Sequence, residues 1–259
     1  MSLQKILCIG DVVGPGAVSY LQKKLHMFCS ANAIDLTVCN CENAAAGNGV
    51  DPASAQELLA AGADVLTSGN HIWKRHEIRE YLEANDRILR PANYPASCPG
   101  NGYTFVDIDG WRYLILNVMG VVYLDPLESP FFCLERILER EKGKYDFAVL
   151  DVHAEATSEK IALARYFDGR IHIVVGTHTH VPTDDARVLR GGTGCITDLG
   201  MTGPTESILG VREDCIFQKM TTHMPVRFVL ADEPITANGA VFTLDTEAGR
   251  VVEAHRVTF

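Results

Sequence analysis

Short apolar runs alternate with helical patterns along the first third of the chain. The runs predict buried strands because they contain β-branched residues and end at glycine or polar residues; they occupy residues 5–9, 35–41 and 63–67. Helical periodicity follows each run, at residues 17–31, 51–61 and 75–83. Asp51 and Gly62 are suited to begin and end the middle helix. This βαβαβα order predicts an α/β fold in which helices cover a sheet.

A second group of elements begins near residue 103, where the pattern changes. Runs at residues 103–109 and 111–118 flank Gly110 and predict a hairpin, and with it a second sheet or an antiparallel edge. Later strands and helices are predicted at residues 130–142 (helix), 147–152 (strand), 158–167 (helix), 171–175 (strand), 212–218 (strand), and 226–230 with 239–259 (a closing meander). No linker, repeat or low-complexity segment interrupts the pattern, so we expect one domain over residues 1–259.

Composition and charge narrow the classes of protein. A hydrophobic fraction of 47% and a charged fraction of 22% are typical of a folded globular chain. The net charge of -10 argues against a nucleic-acid surface built from Lys and Arg, but it allows a phosphate site whose positive charge comes from metal. Eight scattered cysteines without a CxxC pair predict reduced, mostly buried thiols in a cytoplasmic protein. We expect no signal peptide and no membrane association, because no apolar run reaches roughly 18 residues.

Five of the predicted strands end in side chains that commonly bind metal ions. These side chains are Asp11, Glu42 with Asn43, Asn70 with His71, His153, and His178 with His180. The carboxyl ends of strands in α/β folds converge on one crevice, so we expect these residues to meet. Carboxylates, amides and imidazoles suit Mn, Fe or Zn better than Ca or Mg. The ligands exceed what one four-coordinate ion needs, so a bridging Glu42 would hold two ions about 3.5 to 4 Å apart.

The two histidines of the Gly-Thr-His-Thr-His segment, residues 176–180, add to this pattern. Alternation of side chains along a strand predicts that His178 and His180 point the same way, toward one metal ion or two adjacent ones. Each residue also has a simpler interpretation when taken alone: Asp11 would cap a helix, Asn70 would form a turn, and the histidines would lie on an exposed loop. Their coincidence at five strand ends favours a shared metal site.

Together these motifs resemble those of the calcineurin-like metallophosphoesterases. The matching residues are Gly10-Asp11, Gly69-Asn70-His71, His153 and the segment 176–180. The chain departs from the common motifs at two places, since Val13 stands where a second His is usual and Glu42-Asn43 stands where an Asp is usual. With the stretches GDVVG, CENAAAG, TSGNHIW, DVHAEATSEK and DLGMTGP, these departures resemble the bacterial branch that acts on 2′,3′-cyclic nucleotides.

The resemblance implies a fold and a set of ligands. The implied fold has four layers, with a two-sheet β-sandwich flanked by helices. One metal ion would be held by Asp11, Glu42, Asn43 and His180, and the other by Glu42, Asn70, His153 and His178. Asn43 would take the place of the ligand that is missing at Val13, and protonated His71 would stabilise developing charge or protonate the departing alkoxide. The implied cofactors are two transition metal ions, with Fe or Mn favoured and Zn also compatible.

The implied function is a phosphodiesterase that acts through a metal-bound hydroxide on phosphodiesters such as 2′,3′-cyclic nucleotides or short RNA products. The resemblance also implies a homo-oligomer, and we expect loops 44–49 and 198–203 to line the pocket. In one alternative, an amidohydrolase, the His-x-His pair would stand on the first barrel strand, whereas here it follows residue 170. In another, a regulatory protein keeps the metal-binding fold for partners and has weak turnover.

Overall fold

Strands and helices alternate along the computed structural model of the protein, which describes residues 3–259. In chain order the strands are β1 (Leu3–Ile9), β2 (Leu36–Asn40), β3 (Val65–Thr67), β4 (Tyr103–Ile108), β5 (Trp111–Met119), β6 (Phe147–His153), β7 (Ile173–Thr177), β8 (Arg187–Val188), β9 (Gly194–Ile196), β10 (Gly203–Pro204), β11 (Ile235–Thr236), β12 (Asn238–Asp245) and β13 (Arg250–Thr258). The helices are α1 (Gly14–Asn32), α2 (Pro52–Ala60), α3 (Ile78–Ala84), α4 (Pro130–Arg140), α5 (Thr157–Tyr166) and α6 (Glu213–Thr222).

The first sheet brings the two ends of the described chain together. Its five strands have the order β13-β12-β1-β2-β3. Strands β1, β2 and β3 are parallel, and α1 and α2 form the crossover connections between them. Strand β12 pairs antiparallel with β1, and β13 closes the predicted C-terminal hairpin. All three parallel strands therefore deliver their carboxyl ends to the same edge of the sheet.

The second sheet has six strands in the order β4-β5-β6-β7-β9-β8. Strands β4 and β5 form the predicted hairpin, and Asp109 and Gly110 in its turn have φ values of 48° and 86°. Strands β5, β6, β7 and β9 are parallel, with α4 and α5 connecting the first three. The parallel strands of this sheet also have their carboxyl ends at one edge. At β6 and β7 this edge lies beside the carboxyl edge of the first sheet.

Three apolar layers hold the sheets and helices together. The layer between the sheets contains Ile6 of β1, Tyr113 of β5 and Val149 of β6. Their neighbours along the strands face outward, with Leu7 packed toward α1 and Leu150 packed toward α4 and α5. Side chains alternate along a strand, so each strand contributes to two layers. The predicted two-sheet sandwich flanked by helices is confirmed.

The residues at which α1 and α2 begin agree only in part with those predicted from the sequence. Asp51 caps α2 as predicted, because its carboxylate accepts a hydrogen bond of 2.8 Å from the Ser54 N–H. Helix α1 begins at Gly14, earlier than the predicted residue 17, since Pro15 fits the first helical turn. The residue that precedes α1 is Val13, and no side chain caps that helix. Asp11 is therefore not a capping residue and is available for another role.

The prediction of a strand at residues 212–218 is wrong, because this segment begins helix α6. Acidic side chains in the first turn and Lys219 in the last turn match the helix dipole. Cys215 and Ile216 face inward while the rest of the helix is exposed. These features outweigh the local β propensity of Ile216 and Phe217.

The closing meander was also predicted only in part. Strands β12 and β13 confirm the hairpin within residues 239–259, but residues 226–230 form no strand in the described chain. Within that segment Leu230 makes an isolated bridge to Val211. Strand β9 was missed because the glycines around it resemble a loop.

Two expectations from composition can be compared with the structure. All eight cysteines are free and six are buried, which confirms the predicted unpaired thiols. Burial raises the pKa of the Cys8, Cys39 and Cys41 thiols, so these groups stay protonated near neutral pH. Within residues 3–259, no helix combines the length and the apolar character needed to cross a membrane.

His172, just before β7, is a partly buried acceptor that protonation would disturb. Its Nδ1 accepts a hydrogen bond of 3.0 Å from the Ala148 N–H, and burial lowers its pKa from 6.5 to about 4. Between these two values the unfolded chain binds a proton that the folded chain does not. The contribution of His172 to stability is therefore complete above pH 6.5 and is lost as the pH falls toward 4.

We expect His172→Asn to lose less stability than the wild type between pH 7 and pH 4, because Asn keeps an acceptor and does not titrate. Between pH 7 and pH 4 the wild type should lose on the order of 1 to 2 kcal/mol more of its free energy of unfolding than the variant does, since one pKa unit corresponds to about 1.4 kcal/mol. Urea denaturation of both proteins across this pH range measures it. Parallel stability curves would contradict the prediction.

Candidate metal centre

The carboxyl ends of β1, β2, β3, β6 and β7 open into one cavity of about 370 Å³. Seven of the eight side chains predicted as ligands or catalyst line it, and they are Asp11, Glu42, Asn43, His71, His153, His178 and His180. The eighth, Asn70, lies beside them, with its Oδ1 3.0 Å from Nε2 of His153. Residues that are far apart in the sequence thus meet where the two sheets share an edge.

His178 and His180 follow the end of β7 rather than lying on it. Strand β7 ends at Thr177, and the two histidines have φ values of 103° and 66°. Residues other than glycine rarely adopt positive φ, so the surrounding contacts must hold this backbone in place. The strand alternation predicted for the pair is therefore wrong, although both side chains do line the same cavity.

A buried ion pair holds the loop that carries the two histidines. Asp198 Oδ2 accepts hydrogen bonds from the Thr179 N–H at 3.2 Å and from the Thr179 hydroxyl at 2.8 Å. The same oxygen lies 2.7 Å from Nζ of Lys160, and both charged side chains are almost fully buried. The stretch 198–203 was predicted to line the pocket, but it supports the histidine loop from behind and is not part of the cavity wall.

A chain of hydrogen bonds orients His153 from below. Its Nδ1 lies 3.0 Å from the Thr177 hydroxyl, which donates its own proton to Asp151 Oδ1 at 2.8 Å. Asp151 also accepts from Asn40 Nδ2 at 2.8 Å, and burial raises its pKa to about 6. Because the Thr177 oxygen is left to accept, the proton of neutral His153 belongs on Nδ1. Nε2 therefore presents a lone pair to the cavity.

The free nitrogen of His153 faces three other lone-pair atoms. His178 Nε2 lies 3.0 Å from Glu155 Oε2, so its proton belongs on Nε2 and its Nδ1 keeps a lone pair. That Nδ1 is 3.1 Å from His153 Nε2, which is also 3.0 Å from Asn70 Oδ1 and 3.5 Å from Glu42 Oε1. Burial lowers the pKa of His153 well below its usual value, which disfavours a proton between these atoms. A bound cation would relieve the repulsion.

Taken as single pairs, these donors are as far apart as two ligands of one metal ion. Two donors that bind one ion at about 2.1 Å, with an angle near 90° to 110°, are about 3.0 to 3.5 Å apart. In the part of the chain that the structure describes, no group of three or more His, Cys, Asp or Glu side chains stands in an arrangement that could hold a metal ion. The donors contact one another directly instead, as the 3.1 Å separation of the two ring nitrogens shows.

Two buried carboxylates provide an independent test of the fit. Among residues 3–259, Asp11 Oδ1 and Glu42 Oε2 are buried and have no hydrogen-bond partner. Burial raises the pKa of both groups. An unpaired buried carboxylate is costly, and a metal cation compensates it. Carboxylate, amide and imidazole donors together form a set that Mn, Fe and Zn accept, so these residues fit the predicted ions.

Asn43, His71 and His180 form the opposite side of the cavity. His180 Nδ1 donates to the Leu209 carbonyl at 3.1 Å, so its Nε2 keeps a lone pair and lies 3.4 Å from Asn43 Nδ2. Asn43 Oδ1 lies 2.8 Å from His71 Nδ1. The His71 backbone N–H donates to Glu42 Oε1 at 2.6 Å. Asn43 therefore links the two histidines of this side.

Burial decides the protonation state of His71 in the free protein. Burial, followed by the nearby charges of Lys74, His178 and His180, lowers its pKa to about 4. Near pH 7 the ring is therefore neutral in the free protein. Nδ1 faces the Asn43 oxygen and carries the proton, so Nε2 is the nitrogen left for a substrate.

Several supporting residues were not identified from the sequence. Asp151 had a usable signal, because it is a charge within an otherwise apolar strand and lies two positions before His153 on the same face. Lys160 and Asp198 had none, since they are 38 residues apart and pair only in the folded chain. The apolar wall formed by Leu209, Val211, Phe228 and Leu230 was also missed, and residues 226–230 within it had been assigned to a strand. From the predicted loop 44–49, Asn48 reaches the cavity.

Comparison with solved structures shows that the chain has a metallophosphoesterase-type α/β fold. A hypothetical protein from Thermus thermophilus is 39% identical, with a TM-score of 0.91 and 99% of each chain covered. A Mycoplasma pneumoniae protein described as a novel phosphatase is 28% identical, with a TM-score of 0.94, and the match covers 100% of this chain and 94% of that one.

The family follows from comparison of the sequence. The model of YmdB-like proteins matches residues 7–257, so the chain belongs to the YmdB-like family. A relative from Bacillus subtilis (strain 168), the 2′,3′-cyclic-nucleotide 2′-phosphodiesterase, is 39% identical over 253 residues, which are 98% of this chain and 96% of the relative. The resemblance to metallophosphoesterases is thereby confirmed.

Gly69 allows the loop after β3 to lie against His153. A Cβ at this position would lie 2.1 Å from Cδ2 of the His153 ring, closer than real Cβ atoms come to other atoms. At Gly16, by comparison, an added Cβ meets the flexible end of Ile235 at 2.9 Å. Glycine at residue 69 is therefore required by the position of the histidine.

We expect Gly69→Ala to displace His153 and to lower the affinity for Mn²⁺ at least about 10-fold, as the loss of contacts that orient a ligand does. Gly16→Ala is the matched control and should bind as the wild type does. Equilibrium dialysis followed by metal analysis measures the affinity, and circular dichroism checks the fold. Unchanged affinity in a folded Gly69→Ala protein would refute the prediction.

Proposed function

We propose that the chain is a dinuclear-metal phosphodiesterase whose substrates are 2′,3′-cyclic nucleotides. The convergence of three lone-pair atoms on His153 Nε2 is the observation that carries this proposal. The Bacillus subtilis relative is named a 2′,3′-cyclic-nucleotide 2′-phosphodiesterase, which supports the substrate class. The Mycoplasma pneumoniae structure described as a phosphatase supports chemistry at phosphorus.

The contacts within the cavity support two groups of ligands. Asn70, His178 and Glu42, which all approach His153, would hold one ion together with it. The other ion would be held by Asp11, Glu42, Asn43 and His180. Fe or Mn suits this donor set best, and Zn is also compatible. Bound ions would supply a nucleophilic water at neutral pH and would neutralise the phosphoryl oxygens.

His71 is the proposed proton donor to the leaving oxygen. Its Nδ1 is held by Asn43, which fixes the ring and leaves Nε2 for the substrate. The free protein keeps the ring neutral, but the negative charge of a phosphodiester beside it raises its pKa and favours a proton on Nε2. An alkoxide is a poor leaving group, so a proton delivered at that oxygen lowers the barrier.

We further propose that residues 1–259 form one domain and that copies of the chain associate in the cytoplasm. The pairing of β1 with the C-terminal hairpin supports a single folding unit. Exposed apolar side chains on α6, such as Phe217 and Met220, support association. The free thiols of all eight cysteines support a reducing compartment.

Metal analysis of the protein purified without chelator, combined with a panel of phosphodiesters, tests the proposal directly. We expect two metal ions per chain and hydrolysis of 2′,3′-cAMP, with 3′,5′-cAMP as the comparison substrate. Removal of metal by chelator should abolish turnover, and added Mn²⁺ should restore it. Two bound ions with hydrolysis of neither nucleotide would exclude the cyclic-nucleotide activity and favour a regulatory protein.

Two variants separate catalysis from metal binding. His71→Ala should keep both ions and lose at least about 100-fold in kcat, the range expected for loss of a general acid. His178→Ala should lose metal occupancy, because it removes a donor from the cluster around His153. Metal content and kcat of the two proteins are measured side by side. Full activity of His71→Ala would exclude its role as proton donor.

A further inference from the structure

A second pocket adjoins the candidate metal centre. It has a volume of about 420 Å³, and its wall includes Asn48, Lys74, Arg75, Phe228 and Leu230. Asn48, Phe228 and Leu230 also line the cavity of the metal centre. The two pockets therefore share part of their walls, and we call the second one the side groove.

One wall of the side groove is an apolar face with an exposed aromatic ring. Phe228 is 52% exposed, and Leu209 beside it in the first cavity is 49% exposed. A large apolar side chain gains little stability from such a position. The flat face of a phenyl ring is, however, a suitable surface for stacking by a nucleobase.

The other wall of the side groove is positively charged. Lys74 and Arg75 are the charged residues that line it, and no carboxylate in residues 3–259 forms an ion pair with either. Backbone carbonyls hold the Arg75 guanidinium, with Asn48 O at 3.2 Å from its Nε and Ala46 O close to Nη2. Neither cation has a carboxylate partner among the described residues, although the chain has a net charge of -10. They match a phosphate group on the substrate.

We propose that the side groove binds the part of the substrate beyond the scissile phosphodiester: a nucleobase stacked on Phe228 and a further phosphate at Lys74 and Arg75. This inference rests on the phosphodiesterase activity proposed above. An aromatic face beside two cations favours a ligand that carries both a base and an additional negative charge. RNA ends with a terminal 2′,3′-cyclic phosphate meet both conditions, whereas a mononucleoside cyclic phosphate lacks the second phosphate.

The stacking contact is tested with two substrates that share the five-membered cyclic phosphodiester. These are 2′,3′-cAMP and glycerol 1,2-cyclic phosphate, which has no base. The measured quantity is kcat/KM for 2′,3′-cAMP divided by kcat/KM for the base-free substrate. In Phe228→Ala this ratio should fall at least about 10-fold, because stacking of the base on an aromatic ring is lost. Phe228→Trp should keep the ratio. Phe132→Ala is the matched control, since Phe132 is 72% exposed and lies outside both pockets.

The cationic wall is tested with a second pair of substrates, the dinucleotide ApA with a terminal 2′,3′-cyclic phosphate and 2′,3′-cAMP. We expect the wild type to prefer the dinucleotide. The double variant Lys74→Gln, Arg75→Gln should reduce this preference about 3-fold to 10-fold at low salt, since it removes two charge-assisted contacts to phosphate. Arg79→Gln, an exposed arginine outside the groove, is the control.

The outcomes distinguish this inference from the proposed function. If the wild type hydrolyses none of these cyclic phosphodiesters, the proposed activity fails. If the wild type is active and Phe228→Ala lowers kcat/KM equally for both members of the first pair, Phe228 has a structural role and the base subsite is refuted. An unchanged dinucleotide preference in the double variant refutes the phosphate subsite.

Discussion

The repulsion among buried lone pairs at the shared edge of the two sheets is the interaction on which the centre depends. The Thr177 hydroxyl accepts the Nδ1 proton of His153. The unprotonated Nε2 of His153 therefore faces Asn70 and His178. This crowding is unfavourable in the metal-free chain and becomes favourable around a cation. A metal ion bound there would therefore also stabilise the folded chain, because it would bind the folded form in preference to the unfolded one.

Much of the fold and most of the centre could be predicted because both follow from short local patterns. Apolar runs mark the strands, and the polar residues just after them mark one edge of the sheets. Asp11, Glu42 and His153 were identified by this rule, although they come from three different strands. The rule needs no contact information, since parallel strands with helical crossovers place their carboxyl ends together.

The remaining features depend on contacts that a local pattern does not contain. Lys160 and Asp198 form a buried pair only after α5 packs against the second sheet, and that pair holds the histidine loop. The positive φ values of His178 and His180 are imposed by such contacts rather than by residue preference. Helix α6 was mistaken for a strand because charges at its ends, not its central residues, decide its structure.

The cysteine thiols on β2 and just after it are buried, which limits their reactions with metal ions and oxidants. Cys41 directly precedes Glu42, yet its Sγ donates to the Thr67 carbonyl at 3.1 Å and its pKa is raised well above the usual value. Soft ions such as Cd²⁺ and Cu⁺ bind thiolates, and peroxides attack them. A sulfur kept as a hidden thiol offers neither reaction, so Cys41 is shielded from both although it lies one residue from Glu42.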